Sequence, residues 1–395
     1  MNKNRQEDWE RFFFKTLRAQ KENDLRRNLV NIGSPPSPIL DIQGRKFVHF
    51  CSNDYLGLAT DSRMKEACKK TLNKWGTGAC ASPLISGHLS LTAHLESKIA
   101  RFKHTPAAIV YCSGYSSNIG SISGLTGPDD LILSDELNHA SIVDGCRLSR
   151  AEVCVYPHND LQFIEDTLKK KRVKGKVLLV AEGVFSMDGD LAPLPQLLEL
   201  SGKYHFRIYI DDAHATGVIG DSGRGTLEHF GLQPEKVIQM GTFSKALGCL
   251  GGFVCGSRSL VEYLVNKSRT LIYSTALPPP VLGAGLQALD IVENDPAPRS
   301  RLMQISRYLR NGLKKIGIPL SPGVDHIFSL VVGGNGETLE LTGFLWGKRF
   351  FVPAIRPPTV PENQSRLRIS LSSMHTRQQV DMLVQALQEF FRKGT

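Results

Sequence analysis

Two short polar stretches hold residue types that suit one chemistry. Asp211-Asp-Ala-His214 and Gly241-Thr-Phe-Ser-Lys245 each follow a run of β-forming residues, Phe206-Arg-Ile-Tyr-Ile210 and Lys236-Val-Ile-Gln-Met240. Rich in branched and aromatic side chains, both runs suit strands of a covered sheet. If the two are parallel strands of one open sheet, their carboxyl ends share the edge at which such folds bind ligands. An acid and an amine then face one crevice. That pair suits pyridoxal phosphate, whose aldehyde takes an amine as a Schiff base and whose ring nitrogen needs an anion to keep it protonated. Lys245 is the nucleophile candidate, and the same amine can later move a proton. Asp211 is the candidate partner of the ring nitrogen, with Asp212 as a helix-capping or structural alternative, and His214 is spaced to meet the ring hydroxyl. Alone, a lysine among 48 basic residues reads as a surface lysine and a single histidine as a packed one. Their shared position just past strands, beside the Thr242 and Ser244 hydroxyls, raises the functional reading.

The elements that must position these residues follow from the pattern around them. From Ser52 to about residue 285, short β-branched runs alternate with helical segments, the signature of a parallel sheet covered on both faces. Runs at Ala107–Tyr111, Leu131–Leu133 and Val177–Ala181 end in polar residues, as do the two opening runs, so five strand ends are expected along one edge. Gly252–Cys255 reads as a further strand. At the first of these ends, Ser113-Gly114-Tyr115-Ser116 offers a glycine followed by hydroxyls at a strand-to-helix junction, which suits phosphate. Neither a Gly-x-Gly-x-x-Gly nor a Gly-x-x-x-x-Gly-Lys-Ser/Thr pattern follows a strand, so dinucleotide and P-loop readings lose their support. Residues 5–30 read as a charged amphipathic helix stopped by Pro35-Pro-Ser-Pro38, and Ile39–Phe50 as a hairpin turning at Gln43-Gly44. From about 286 a second α/β lobe is expected, with strands at Ile327–Val332 and Leu367–Leu371 among three helices. The division predicted is 1–50 (helix and hairpin packing with the smaller domain), 51–285 (large cofactor-binding domain) and 286–395 (small domain).

Composition narrows the function classes. With 41% hydrophobic and 22% charged residues the chain is of ordinary globular type, and no apolar run approaches the roughly 18 residues of a membrane-spanning helix. No secretory signal pattern opens the chain, and its eight cysteines are scattered without a Cys-x-x-Cys pair, which favours reduced thiols and the cytoplasm. No metal-ligand cluster stands out, so no metal is expected. The net charge of +10 lacks the basic stretches interleaved with aromatics that nucleic-acid binding favours; it suits attraction of an anionic substrate such as an acyl thioester of coenzyme A.

These stretches, with others, resemble the α-oxoamine synthases, pyridoxal-phosphate enzymes of fold type I. The resemblance is carried by Ser52-Asn-Asp-Tyr-Leu-Gly-Leu58, Ser113-Gly-Tyr115, Asn138-His-Ala-Ser141, Glu182-Gly-Val-Phe-Ser-Met-Asp-Gly-Asp190, Asp211–Gly217, Thr242–Lys245, Tyr273-Ser-Thr275 and Ile355-Arg-Pro-Pro-Thr-Val-Pro361. It implies an α/β fold with a large, mostly parallel sheet covered by helices and a smaller α/β domain. It implies that Lys245 forms the Schiff base, Asp211 pairs with the ring nitrogen, His214 meets the ring hydroxyl, and His139 stacks on the ring and later donates a proton. Gly114, Tyr115 and Thr242 are implied to hold the cofactor and Ser186 to orient it. Ser274 and Thr275 would reach the phosphate of a neighbouring subunit, which implies a homodimer with shared sites. Asn53 and Arg356 would bind the amino-acid carboxylate, with Arg26 and Thr359 near the acyl substrate. The last stretch is similar to that of the family member condensing L-alanine with a pimeloyl thioester, carried by coenzyme A or a carrier protein, in biotin biosynthesis. The rival readings are a sister enzyme using glycine or serine with another acyl-CoA, a silent partner subunit, which is expected to lack Lys245, and a basic nucleic-acid binder.

Overall fold

The computed structural model describes residues 3–320, 323–324 and 326–393. Its first helix, α1, spans Lys3–Glu22, shorter than the 5–30 expected. It ends where Asp24 takes a left-handed backbone conformation (φ 56°), and the amides of Leu25 and Arg26 turn back onto the Gln20 carbonyl at 2.7 and 3.0 Å. Asp is among the few residues that adopt this conformation readily. The hairpin is as expected: β1 (Ile39–Ile42) and β2 (Arg45–His49) pair antiparallel around Gln43 and Gly44, both at positive φ.

Seven further strands form the central sheet: β3 (Ala107–Tyr111), β4 (Leu131–Asp135), β5 (Glu152–Tyr156), β6 (Val177–Glu182), β7 (Arg207–Asp211), β8 (Val237–Thr242) and β9 (Gly252–Gly256). Their order is β3-β9-β8-β7-β6-β4-β5, with only β9 antiparallel to its neighbours. Strands β4, β8 and β9 are buried along their whole length and β6 and β7 nearly so, because helices cover both faces. This is the reason they read as unbroken apolar runs rather than alternating ones. Strand β5 was not anticipated; at the sheet margin it is largely exposed and alternates weakly. The five expected strand ends, those of β3, β4, β6, β7 and β8, do share one edge.

Helices α2 (Ser62–Trp75) and α3 (Ser90–Phe102) precede the first strand of this sheet, and α4 (Gly114–Leu125) and α5 (Ala140–Ser149) connect β3 to β4 and β4 to β5. The buried helix Pro279–Asn294 packs against α2 and α3. Beyond it come β10 (Ile327–Gly333), β11 (Phe350–Phe351), β12 (Ala354–Ile355) and β13 (Ser365–Ser370). Strands β10, β13 and β12 make an antiparallel sheet, whereas β11 adds in parallel to β2, so the N-terminal hairpin is completed by a strand some 300 residues later. Among the described residues no helix is long and apolar enough to cross a membrane.

Candidate active site

Successive side chains of a strand point to opposite faces, and the end of β7 uses this to separate two aspartates. Asp211 turns toward α4, where its Oδ2 accepts a hydrogen bond from Asn118 Nδ2 at 2.7 Å and its Oδ1 one from the Ala213 amide at 2.9 Å. Asp212 turns away. It accepts from Lys103 Nζ at 3.0 Å and from Thr226 Oγ1 at 2.6 Å, and the Lys103 and Asp212 side chains are wholly buried. Asp212 is thus the structural acid and Asp211 the one at the ligand edge.

Lys245 lies in the loop after β8, with Nζ 2.6 Å from His214 Nε2. His214 Nδ1 is 2.6 Å from the Tyr55 hydroxyl, which donates to Asn53 Oδ1 at 3.1 Å. Arg368, on β13, donates to Asn53 Oδ1 and to the Tyr55 oxygen, both at 3.2 Å, and through Nε to the Ser186 carbonyl at 2.5 Å. Counting hydrogens orders the chain: Lys245 donates to Nε2, so the neutral imidazole carries its proton on Nδ1 and donates it to Tyr55. Burial drives the His214 imidazolium well below its ordinary range, with Lys245 and Arg368 adding to the effect. Desolvation likewise lowers the Lys245 ammonium to about 8, against the opposing pull of Asp211 and Glu182. An amine so poised is available as a base near neutrality.

Glu182 completes this edge. It pairs in register with Asp211 across β6 and β7 and is 2% exposed; Oε2 accepts from the Ser186 amide at 3.0 Å, and Oε1 has no hydrogen-bond partner. Burial, then the Asp211 charge, raises its carboxyl to about 8. At the start of α4, Ser113 Oγ caps the Ser116 amide at 3.0 Å. A Cβ on Gly114 would sit 3.1 Å from Met240 Cε and 3.3 Å from Thr242 Oγ1, and one on Gly252 only 2.7 Å from the Ser113 carbonyl oxygen. Glycine at both positions lets this helix start lie directly on the strand ends, with its free amides toward the edge. Tyr115 is exposed, its hydroxyl bonded to Asp144. The His139 ring is open to the neighbouring cleft.

That cleft, about 1050 Å³, is lined by His139, Ser186, Met187, Thr359 and Arg366 among others. His158 forms part of its wall, bonded to Asp135 at 3.0 Å and to Asp190 at 2.7 Å. Burial alone would lower the His158 imidazolium, but its two carboxylate bonds outweigh this and raise it to about 10. Lys245, Asp211, His214, His139, Asn53, Ser186, Thr242 and Gly114 are therefore gathered at one edge, with Thr359 across the cleft. Ser274 and Thr275 are elsewhere, in a second and more apolar cavity of about 360 Å³ with Leu84 and Leu271. Arg356 is buried, but its guanidinium is bonded to the carbonyls of Asp24 and Arg26, while Arg26 itself is exposed. Sequence reasoning singled out none of Arg368, Tyr55, Glu182 or Asn118 for a role. A signal for Arg368 existed: Arg366 and Arg368 alternate within a strand that must be buried to reach residues 50–55.

The residues fit pyridoxal phosphate on structural grounds. A glycine-cleared helix start suits its phosphate, a carboxylate held by two N–H donors suits its ring nitrogen, a half-buried amine suits its aldehyde, and Glu182 Oε1 is a buried oxygen still lacking a partner. Fold and site together define a fold type I pyridoxal-phosphate-dependent enzyme. Residues 45–387 match the family model of aminotransferase class I and II. The chain is 44% identical over 377 residues to the 8-amino-7-oxononanoate synthase of Lysinibacillus sphaericus, covering 95% of this chain and 97% of the relative. Among solved structures it superposes on SPT with PLP as an internal aldimine (TM-score 0.88, 30% identity, 92% of each chain). It also superposes on 8-amino-7-oxononanoate synthase from Francisella tularensis (TM-score 0.76, 29% identity, 88% of this chain and 98% of the other). The chain belongs to the aminotransferase class I and II family and, within it, to the 8-amino-7-oxononanoate synthases, acyltransferase-type enzymes with pyridoxal phosphate as cofactor.

Proposed function

We propose that the enzyme joins L-alanine to a pimeloyl thioester, releasing the thiol and CO2 to leave 8-amino-7-oxononanoate. The cofactor would be held by Lys245, Asp211, His214, His139, Ser186, Thr242, Gly114 and Tyr115. When bound, it supplies the electron sink for charge developing at the alanine α-carbon. The chain's own groups do the rest. Arg368 and Asn53 hold the alanine carboxylate, a pairing favoured over Arg356 because Arg368 is linked through Tyr55 and His214 to Lys245, whereas Arg356 is bonded to the Asp24 and Arg26 carbonyls of the N-terminal segment. The Lys245 amine removes the α-proton, its basicity at neutral pH following from desolvation. The α-carbon then bonds to the pimeloyl carbonyl carbon as the thiolate leaves, and the carboxylate departs as CO2. His139, at the cleft mouth, returns a proton to the product. The acyl chain occupies the cleft between His139 and Thr359, and Arg26, whose carbonyl accepts from Arg356, is assigned to the acyl substrate as well.

We further propose a cytoplasmic homodimer in which Ser274 and Thr275 of one protomer complete the cofactor phosphate site of the other. Exposed Leu84, Ile85 and Tyr273 around the second cavity favour a covered surface there. Residues 1–50 form a helix and hairpin packing with the small domain, 51–285 the large cofactor-binding domain and 286–395 the small domain. The observation that carries the catalytic reading is the Lys245–His214–Tyr55–Arg368 chain, which links a base through two side chains to a guanidinium suited to a carboxylate. The test is thiol release and product mass with pimeloyl-CoA and each of L-alanine, glycine and L-serine. Turnover with alanine is expected to dominate; turnover only with glycine or serine overturns the alanine assignment in favour of a sister enzyme.

A further inference from the structure

Behind the two groups assigned to the cofactor ring lies a closed set of buried hydrogen bonds. Asn118 of α4 is 1% exposed, as is Ser141 of α5, and Tyr209 of β7 is fully buried. Asn118 Nδ2 lies 2.7 Å from Asp211 Oδ2 and 2.8 Å from Ser141 Oγ, and Asn118 Oδ1 receives the Tyr209 hydroxyl at 3.0 Å. Ser141 Oγ is in turn 2.8 Å from His139 Nδ1, which also faces the Ser141 amide at 3.2 Å.

Counting hydrogens leaves little freedom. The Asn118 nitrogen, not its oxygen, must face the Asp211 carboxylate, and its second hydrogen then goes to Ser141 Oγ. With an acceptor's role toward Asn118, Ser141 has its own hydroxyl hydrogen left for His139 Nδ1. Two donors therefore meet Nδ1, and a neutral His139 must carry its proton on Nε2. Burial lowers the His139 imidazolium, with Asp211 and Asp144 opposing and Lys245 assisting, which favours the neutral ring.

We propose that Asn118 and Ser141 are positioning residues that fix, through one shared network, the orientation of the Asp211 carboxylate and the Nε2–H tautomer of His139. The inference rests on the assignment of Asp211 and His139 to the cofactor. Its consequence is that the acid facing the ring nitrogen and the imidazole over the ring are set together: one side chain donates to both branches. A histidine in the wrong tautomer presents a lone pair where a proton is needed, and a correctly placed proton donor contributes on the order of 100-fold or more to a transfer step.

The test is nitrogen NMR of the holoenzyme grown with ring-labelled histidine, the His139 signals being assigned by their loss in His139→Asn. The wild type is expected to show a protonated Nε2 and an unprotonated Nδ1. Ser141→Ala removes the hydroxyl donor and leaves the residue 141 amide as the remaining donor to Nδ1, so an Nδ1–H population should appear beside the Nε2–H form while the cofactor absorbance stays as it was. Product formation should show a lowered kcat, by up to roughly 100-fold, with exchange of the alanine α-proton, which Lys245 carries out, and KM for alanine little changed. Ser141→Thr keeps the hydroxyl and should restore both signals and rate. Asn118→Leu, of similar size, should disturb the tautomer and the cofactor absorbance together; should that variant fail to fold, the Ser141 pair carries the test alone. A wild-type ring protonated on Nδ1, or a tautomer unmoved by Ser141→Ala, overturns the proposal. Because the tautomer is read without substrate, it stands or falls separately from the identity of the reaction.

Discussion

The two sides of the site are built differently. The Asp211 side is made within the central sheet and its two flanking helices, and its donors and acceptors satisfy one another: Asp211, Asn118, Tyr209 and Ser141 form a closed set. The Lys245 side is assembled across the molecule, from Asn53 and Tyr55 near the start, His214 and Lys245 in the middle and Arg368 near the end. It holds groups whose partners can change, the Lys245 amine with its pKa lowered to about 8 and the side-chain bonds of Arg368 to Asn53 and Tyr55. The difference matches the tasks. A group that only holds charge against a ring benefits from a network that resists rearrangement, whereas groups that bind and release a substrate must exchange partners during the cycle.

The largest effect is expected from removing the amine on the exchanging side. Lys245→Ala should lower alanine α-proton exchange by roughly 100- to 10,000-fold, the range for loss of a positioned acid or base. Borohydride should fix the cofactor to Lys245 in the wild type and leave none fixed in the variant, as peptide mapping would reveal. A label on another lysine would break the assignment of this side.

A smaller effect separates the two candidate arginines. Arg368→Lys should weaken L-alanine binding by about 1.5 to 3 kcal/mol, because an ammonium has similar charge but cannot make the paired, parallel bonds of a guanidinium to a carboxylate. Arg356→Lys should leave alanine binding nearly intact and instead loosen the segment around Asp24–Arg27, whose Arg27 also donates to the Pro357 carbonyl at 2.9 Å. Titrating the cofactor absorbance with L-alanine in both variants decides between them; the opposite ranking would return the carboxylate role to Arg356.

The same contrast explains what was legible in the sequence. The closed side lies at strand ends whose apolar runs are unbroken and whose helix starts are marked by glycine and serine, so local pattern led to Asp211, Gly114 and Thr242. Asp211 and Asp212 could not be told apart from the sequence, because strand phase and the buried Lys103 partner decide it. The assembled side depends on β13 returning beside residues 50–55, a long-range pairing that no local pattern encodes. Arg368 was therefore not singled out, and the carboxylate role was given to Arg356, whose guanidinium is bonded to the Asp24 and Arg26 carbonyls of the N-terminal segment. Similarly, β11 and β12 are two residues long and exist because of their partners β2 and β13 rather than their own composition.

The last and smallest effect concerns acid. The assembled side is backed by histidines that are neutral because they are buried. His326 Nε2 donates to the His214 carbonyl at 2.9 Å and its ring meets the Tyr55 ring edge-on, and burial lowers its imidazolium to about 3. His375 stacks on Phe50 and lies 2.8 Å from the His49 carbonyl, with burial taking it to about 4. Both begin from an ordinary value of 6.5. A depressed folded pKa means that the unfolded chain binds the proton first, so the stability these rings contribute is present above about 6.5 and falls away as pH drops toward 4 and then 3. Among the described residues the Asp211–Asn118–Tyr209 core of the closed side holds no imidazole, and His139, bonded to Ser141, sits at its exposed margin. Acidification from pH 7 to 4.5 should therefore raise amide exchange, corrected for its intrinsic pH dependence, in residues 50–58 and 326–331 before it does so in 107–111 and 207–211, with only a modest fall in the global melting temperature. Replacing His375 by Gln should flatten that fall while lowering stability at pH 7, since the ring's packing on Phe50 is lost. Exchange that rises uniformly across both sets of segments would mean that the two sides unfold as one unit and that their difference is one of chemistry alone.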